Sequence, residues 1–293
     1  MVSSEKKAAG SLVLLSLFSV YILWGSTYLA IRIAIESFPP FFMAGVRFFV
    51  TGSVLFLLLK LRGADTPTLP QWKGSAIIGA FLLLVGNGGV VFAEQWVGSG
   101  IAALGVATVP LWTVVFGGIV WKRWPNRIEF VGLILGFIGI VLLNFEGDMR
   151  AYPLGAAGLL IAAVSWAFGS AWSRELALPK GLMAPAAEMI TGGFFLLVLS
   201  YFSGESLSGP PSWRSVWALA YLMIFGALIG YSAYTYLINR VRPALATSYA
   251  YVNPAIAVTL GIFAAGEKIT EAGFVAMLVI ITAVMLVLFG QRR

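Results

Sequence analysis

SLVLLSLFSVYILWGSTYLAI, residues Ser11–Ile31, runs for 21 residues without a charged side chain. A helix rising about 1.5 Å per residue needs about 20 apolar residues to cross the ~30 Å hydrocarbon core of a bilayer. Lys6 and Lys7 precede the run, as basic residues would in a secretory signal. The run outlasts the roughly 7–15 residues of a cleavable signal's apolar core, so it reads as a retained first span.

The pattern recurs at about 38–59, 74–93, 100–121, 128–145, 153–173, 183–203, 214–237, 243–264 and 270–289. The breaks carry loop chemistry, including Pro39-Pro40, Trp124-Pro125-Asn126, Gly147-Asp148, Gly209-Pro210-Pro211 and Arg242-Pro243. The shortest break, Glu94 to Ser99, separates the third run from the fourth. Of the 293 residues, 60% are hydrophobic and 11% are charged, against about 25% charged in a soluble domain. So few charges cannot cover a water-facing surface, and the solvent for most of this chain is the lipid bilayer. The expected fold is an all-α polytopic membrane protein of ten transmembrane helices.

A net charge of +7 raises the question of nucleic-acid binding. The Lys and Arg residues form no continuous face or tail, however, and sit in short clusters between apolar runs as topology signals do. With ten spans both termini share one side. Fourteen basic residues collect there, from Lys6 and Lys7 to Arg292 and Arg293, against Arg32, Arg150, Arg214 and Lys268 opposite and Arg47 inside the second span. By the positive-inside rule both termini are cytoplasmic.

The chain has no cysteine and no histidine, which removes thiolate chemistry, the commonest metal ligand and the commonest general base. No Gly-rich loop ends in Gly-Lys-Ser/Thr, and no segment between spans is long enough for an ATP-binding domain. No cofactor or metal site is implied. A membrane-embedded enzyme would need a cluster of His, Asp, Glu or Cys near a membrane face. A channel would need a ring of charges or a filter-like carbonyl segment. Neither is evident.

The halves resemble one another at a separation of 144 residues: Gly25-Ser26 matches Gly169-Ser170, Gly86 matches Gly230, Ala102 matches Ala246, Pro110 matches Pro254, and Gly117 matches Gly261. Gly52 and Gly193 match at a slightly shorter separation. Each half holds an odd number of spans, so the second enters the membrane from the opposite side. Two inverted five-helix repeats, 1–148 and 149–293, are the plan of many secondary transporters, whose substrate sites lie near the midplane.

Trp24-Gly25-Ser26, the arginine of Ala44-Gly45-Val46-Arg47-Phe48, and Val252-Asn253-Pro254 with Gly266-Glu267 resemble the EamA-type repeats of the drug/metabolite transporter superfamily. The resemblance spans about 11–289. Within the superfamily the chain is most similar to the YddG-type exporters of aromatic and other amino acids in the bacterial inner membrane. In one departure, Arg123 stands in the first half where Glu267 stands in the second. The resemblance implies a cavity lined by the first, third, fourth, sixth, eighth and ninth spans. It implies amino acids as substrates, with transport of another metabolite or drug as the alternative.

In those spans lie the candidate substrate contacts Trp24, Tyr28, Asn87, Trp112, Trp166, Tyr231, Tyr234, Tyr249 and Asn253, with Tyr251 a further aromatic. Indole and hydroxyl donors on an apolar wall suit neutral zwitterions with bulky side chains. Pro110 and Pro254 are candidate helix kinks, each removing a backbone donor. Asn87-Gly88-Gly89 leaves backbone open to approach. Arg47 and Glu188 are the intramembrane charges, costly there and by default functional. Both fall in corresponding second and seventh spans. They either polarise a cavity or pair in one state, or else they bond backbone or snorkel. Glu188 is the buried carboxylate available for proton coupling, with uniport equally open. Trp72, Trp121, Trp124 and Trp213 read as an interfacial belt.

Overall fold

The computed structural model describes residues 2–122, 124–144 and 153–265, with isolated positions between 275 and 290. The tenth expected span, the boundary between the halves, Arg123, Gly266 and Glu267 lie outside the continuously described residues. Among the described residues all regular secondary structure is helical. Six of these helices are long and apolar enough to cross a membrane: Gly10–Ala34, Pro40–Leu61, Leu69–Ala93, Pro153–Trp172, Met183–Phe202 and Trp213–Arg240. They correspond to the first, second, third, sixth, seventh and eighth runs of the sequence, and are called by those ordinals below.

The fourth run forms two pieces, Ser99–Val106 and Val109–Trp121, and the ninth forms Pro243–Ala246 and Tyr249–Ala265. The fifth is Arg127–Asn144. The sequence reading makes Pro110 a mid-helix kink. Instead it sits in the first turn of a new helix after a break at Ala107-Thr108, where a missing N–H costs nothing. Pro254 does lie inside its helix, while the break in the ninth run falls earlier, at Thr247-Ser248.

Local chemistry sets the helix starts. Glu205, from the loop after the seventh helix, accepts the backbone N–H groups of Phe41 and Phe42 at 3.0 and 2.8 Å, capping the second helix with a carboxylate. Asn126 and Glu129 exchange side-chain and backbone bonds, each 2.9 Å, as a reciprocal cap on the fifth. The third and eighth helices both contain a π-helical segment, Gly79–Asn87 and Leu222–Tyr231. A π turn leaves carbonyls outside the regular ladder. Here a neighbouring side chain takes one up in each case: Ser165 donates to Phe81 O at 2.7 Å, and Trp24 Nε1 donates to Gly226 O at 3.0 Å.

The second and seventh helices form the most extensive packed pair. A Cβ placed at Gly52 would stand 2.7 Å from Met189 Cβ and 2.9 Å from Ala186 O, so the two backbones approach as closely as they do because Gly52 has no side chain. At the other helix contacts, Gly158 and Ala162 lie against Gly89.

The third helix begins against the Ala177 carbonyl, just past the end of the sixth. The eighth begins where the first ends, with Ser215 Oγ donating to Ile33 O at 2.9 Å. Two arginines tie helix ends together. Arg32 Nη1 donates to Glu94 O and Val97 O at 2.7 and 3.2 Å, holding the end of the third helix. Arg174 Nε donates to Ile238 O at 2.8 Å and Nη2 to Val241 O at 2.7 Å, holding the end of the eighth. These ends define an Arg32 side and an Arg174 side of the bundle.

Candidate functional site

Seven runs converge on one cavity. The first contributes Trp24, Thr27, Tyr28 and Ile31; the second Arg47 and Phe48; the third Gly86, Asn87 and Val90; the fourth Val106 and Val109. The sixth adds Ala162, Ala163 and Trp166, the eighth Gly226 and Tyr231, and the ninth Tyr249. The empty space among these residues, with the open mouth included, is about 580 Å³. The second run is the addition to the set implied by resemblance.

Towards the Arg174 side the cavity ends on packed aromatics. Trp24 lies edge-on to Trp166 at 5.5 Å and to Tyr249 at 4.8 Å. Tyr234 fills the space behind them, 5.2 Å from Trp24 and 5.3 Å from Trp166, and its hydroxyl meets Ser170 Oγ at 2.6 Å. Such edge-on and tilted contacts are the favoured geometry for quadrupolar rings.

Towards the Arg32 side the wall turns polar. Arg47 is 3% exposed, and its guanidinium stacks by the neighbouring Phe48 ring at 4.6 Å. Its Nε and Nη1 are buried without a hydrogen-bond partner, so it neither bonds backbone through them nor snorkels to the surface. Gly226 makes room for it, since a Cβ there would stand 2.5 Å from Nη2. On the third helix Asn87 Oδ1 is likewise buried and unpartnered.

Glu94 is the residue the sequence reading missed. It looks like the first residue of a loop, yet it is 0% exposed and both carboxylate oxygens are buried without a partner. It lies one residue past the third helix and shares the face of Asn87 and Val90 by helical spacing. Burial pushes its carboxyl well above the usual carboxylate range, and the charges of Arg32 and Arg47 pull it back. Arg47 and Tyr28, both on the cavity wall, lie within electrostatic reach of this carboxyl. Glu188 is therefore not the sole buried carboxylate: Glu94 and Glu129 are buried too, the latter ion-paired to Arg242 at 3.3 Å. Glu188 accepts the Tyr231 hydroxyl at 2.8 Å from behind the wall. It makes no ion pair with Arg47.

Of the candidate contacts, Trp24, Tyr28, Asn87, Trp166, Tyr231 and Tyr249 line the cavity together. Tyr234 backs it. Trp112 packs half-buried against the core without reaching the wall. Asn253 is buried, and with its amide nitrogen turned to carbonyls it donates to Tyr21 O and Tyr249 O at 3.2 and 3.0 Å, joining the first and ninth runs. Pro110 and Pro254 stand away from the wall. Tyr251 packs on Gly136 of the fifth helix, and its hydroxyl reaches towards Leu133 O. Of the expected belt, Trp124 and Trp213 are exposed, whereas Trp121 lies under the Arg174 guanidinium at 4.5 Å.

The model of the EamA-like transporter family matches this sequence twice, over residues 11–145 and 153–289. The chain belongs to that family. Among EamA-like relatives, the uncharacterized inner membrane transporter YedA of Escherichia coli K12 is 47% identical over 94% of this chain and 90% of its own length. The uncharacterized transporter YoaV of Bacillus subtilis is 24% identical over 88% of this chain and 90% of its own. A crystal structure of a protein 20% identical superposes with a TM-score of 0.79, covering 96% of this chain and 99% of that one. At that identity the likeness concerns the fold alone. The family assignment makes this EamA-like chain a membrane transporter.

Proposed function

We propose that this protein is a secondary exporter of amino acids, aromatic and other neutral ones, in the bacterial inner membrane. It works by alternating access between two inverted five-helix halves, 1–148 and 149–293, with ten spans and both termini in the cytoplasm. The observation that carries the substrate class is the cavity itself, walled by Trp24, Trp166, Tyr231 and Tyr249 at one end and by polar groups at the other. An apolar aromatic wall accepts a bulky side chain, and the polar end accepts a small charged head.

The inverted arrangement is supported by the two family matches and by the recurrence, about 144 residues apart, of a π segment in the third and eighth helices. It is supported too by the opposite ends at which those two helices start. The inner-membrane location draws on the Escherichia coli relative YedA, an inner membrane transporter. Trp24, Tyr28, Asn87, Trp166, Tyr231 and Tyr249 are the expected substrate contacts, with Tyr234 and Asn253 shaping the wall from behind.

The test is counterflow in proteoliposomes loaded with unlabelled amino acid and supplied with labelled phenylalanine or threonine outside. Exchange of both is expected. Absence of exchange for every amino acid tried would overturn the substrate class.

A further inference from the structure

Arg47 and Asn87 stand on the wall at the polar end of the cavity, and the Glu94 carboxyl is buried next to them, behind the wall; these groups do not satisfy one another. Arg47 offers two unpartnered donor nitrogens, Nε and Nη1. Asn87 Oδ1 and both oxygens of Glu94 are unpartnered acceptors; the two residues are seven apart, and Glu94, at the C-cap with helical backbone angles, continues the face on which Asn87 lies. Glu94 and Arg47 act on one another electrostatically, yet no ion pair forms between them within 4 Å. Burying two charges costs several kcal/mol per ion unless contact and hydrogen bonds compensate, as in a closed salt bridge. A group that bridges the gap completes both.

That group has to present an anion to Arg47 and a hydrogen-bonding cation to Asn87 and Glu94, on a frame small enough for the end of this cavity. We infer that Arg47 and Glu94, with Asn87 Oδ1, form a two-pole clamp for a small zwitterion, Arg47 taking the carboxylate and Glu94 the ammonium. This deepens the proposed function and rests on it. The arrangement orients the substrate. Its α-carbon lies towards the Arg32 side, and its side chain points at Trp24 and Trp166. The arriving ammonium adds a cation beside Glu94, which favours the ionised carboxylate. The net neutral pair of poles explains how an apolar cavity accepts a doubly charged head: each charge meets its opposite, and no net charge is buried.

The experiment is competition against labelled phenylalanine counterflow in proteoliposomes, using phenylalanine, phenethylamine, which lacks the carboxylate, and 3-phenylpropionate, which lacks the ammonium. On the wild-type protein each single-charge analogue is expected to compete roughly 10- to 100-fold more weakly than phenylalanine, as loss of a charged hydrogen-bonding partner predicts. Arg47→Gln is expected to erase the preference for phenylalanine over phenethylamine, and Glu94→Gln the preference over 3-phenylpropionate. Arg47→Lys and Glu94→Asp should restore part of each. Equal competition by all three compounds on the wild type overturns the clamp without requiring any variant to fold. So does an unchanged analogue ranking in Arg47→Gln and Glu94→Gln, which would mark the pair as structural. Both of those results leave amino-acid exchange standing. Failure of the proposed function itself is read separately, as no phenylalanine counterflow by the wild type, and that result removes the clamp as well.

Discussion

At the scale of single residues the site is built from side chains whose partners decide their role. Tyr231 shows this most directly, because it faces the cavity with its ring while its hydroxyl donates to the buried Glu188. Tyr231→Phe removes that donor and leaves a buried carboxylate unsatisfied, with an expected loss of about 1–3 kcal/mol in stability. Adding Glu188→Met to the same protein should recover most of the loss, since replacing both partners by apolar groups is nearly neutral. Thermal unfolding in detergent, followed by size-exclusion fluorescence, measures both. A double variant no more stable than Tyr231→Phe would show that the bond is not what Tyr231 contributes. Much of this residue list was legible in the sequence, because tryptophan, tyrosine and asparagine in a lipid-facing composition need partners. Glu94 was not. Its position at the end of an apolar run reads as a loop, and its burial depends on Arg32 holding the 94 and 97 carbonyls from another helix.

At the scale of helices, small residues and π segments decide which faces meet. Gly52 lets the second and seventh helices touch through backbone. Gly52→Ala puts a methyl 2.7 Å from Met189 Cβ and 2.9 Å from the Ala186 carbonyl, and the helices must separate. The expected cost is about 1–3 kcal/mol, read as a lower melting temperature. Gly209→Ala, where a Cβ meets nothing within 4 Å, serves as the control and should leave the melting temperature unchanged. Equal melting temperatures for the two would refute the close-contact role of Gly52. The same scale explains where face assignments from sequence fail. Tyr231 and Tyr234 are three residues apart and share a face in an ideal helix. The π segment ends at Tyr231, and with its wider turns Tyr231 lines the cavity while Tyr234 lies behind it. Trp112 follows the break at Ala107-Thr108, which resets the rotation of the second piece of its run. Periodicity carries across neither irregularity, so the existence of each helix was readable and its rotation was not.

At the scale of the molecule, the 144-residue offset found in the sequence reappears in contacts that no sequence pattern reveals. Arg32 binds the carbonyls of residues 94 and 97, and Arg174 binds those of 238 and 241. The carbonyl partners stand 144 apart in both cases. Backbone acceptors are anonymous in a sequence, so only the arginines were visible, and they read as topology charges. In place they are two latches, one at each side of the bundle, fastening the first run to the third and the sixth to the eighth. If access alternates, each latch holds its own side closed, and weakening one should bias the cavity towards that side. Each charged bond is worth about 1.5–3 kcal/mol, enough to shift a two-state population about tenfold or more. The chain has no native cysteine, so Thr27→Cys on the cavity wall provides a single label site for an impermeant maleimide. Added to this background, Arg32→Gln should raise labelling from the Arg32 side and lower it from the other, and Arg174→Gln should do the reverse. Intact cells and inside-out vesicles expose the two sides in turn. Labelling that rises from the same side in both variants, or changes in neither, would mean that the paired arginines brace the fold without governing which side is open.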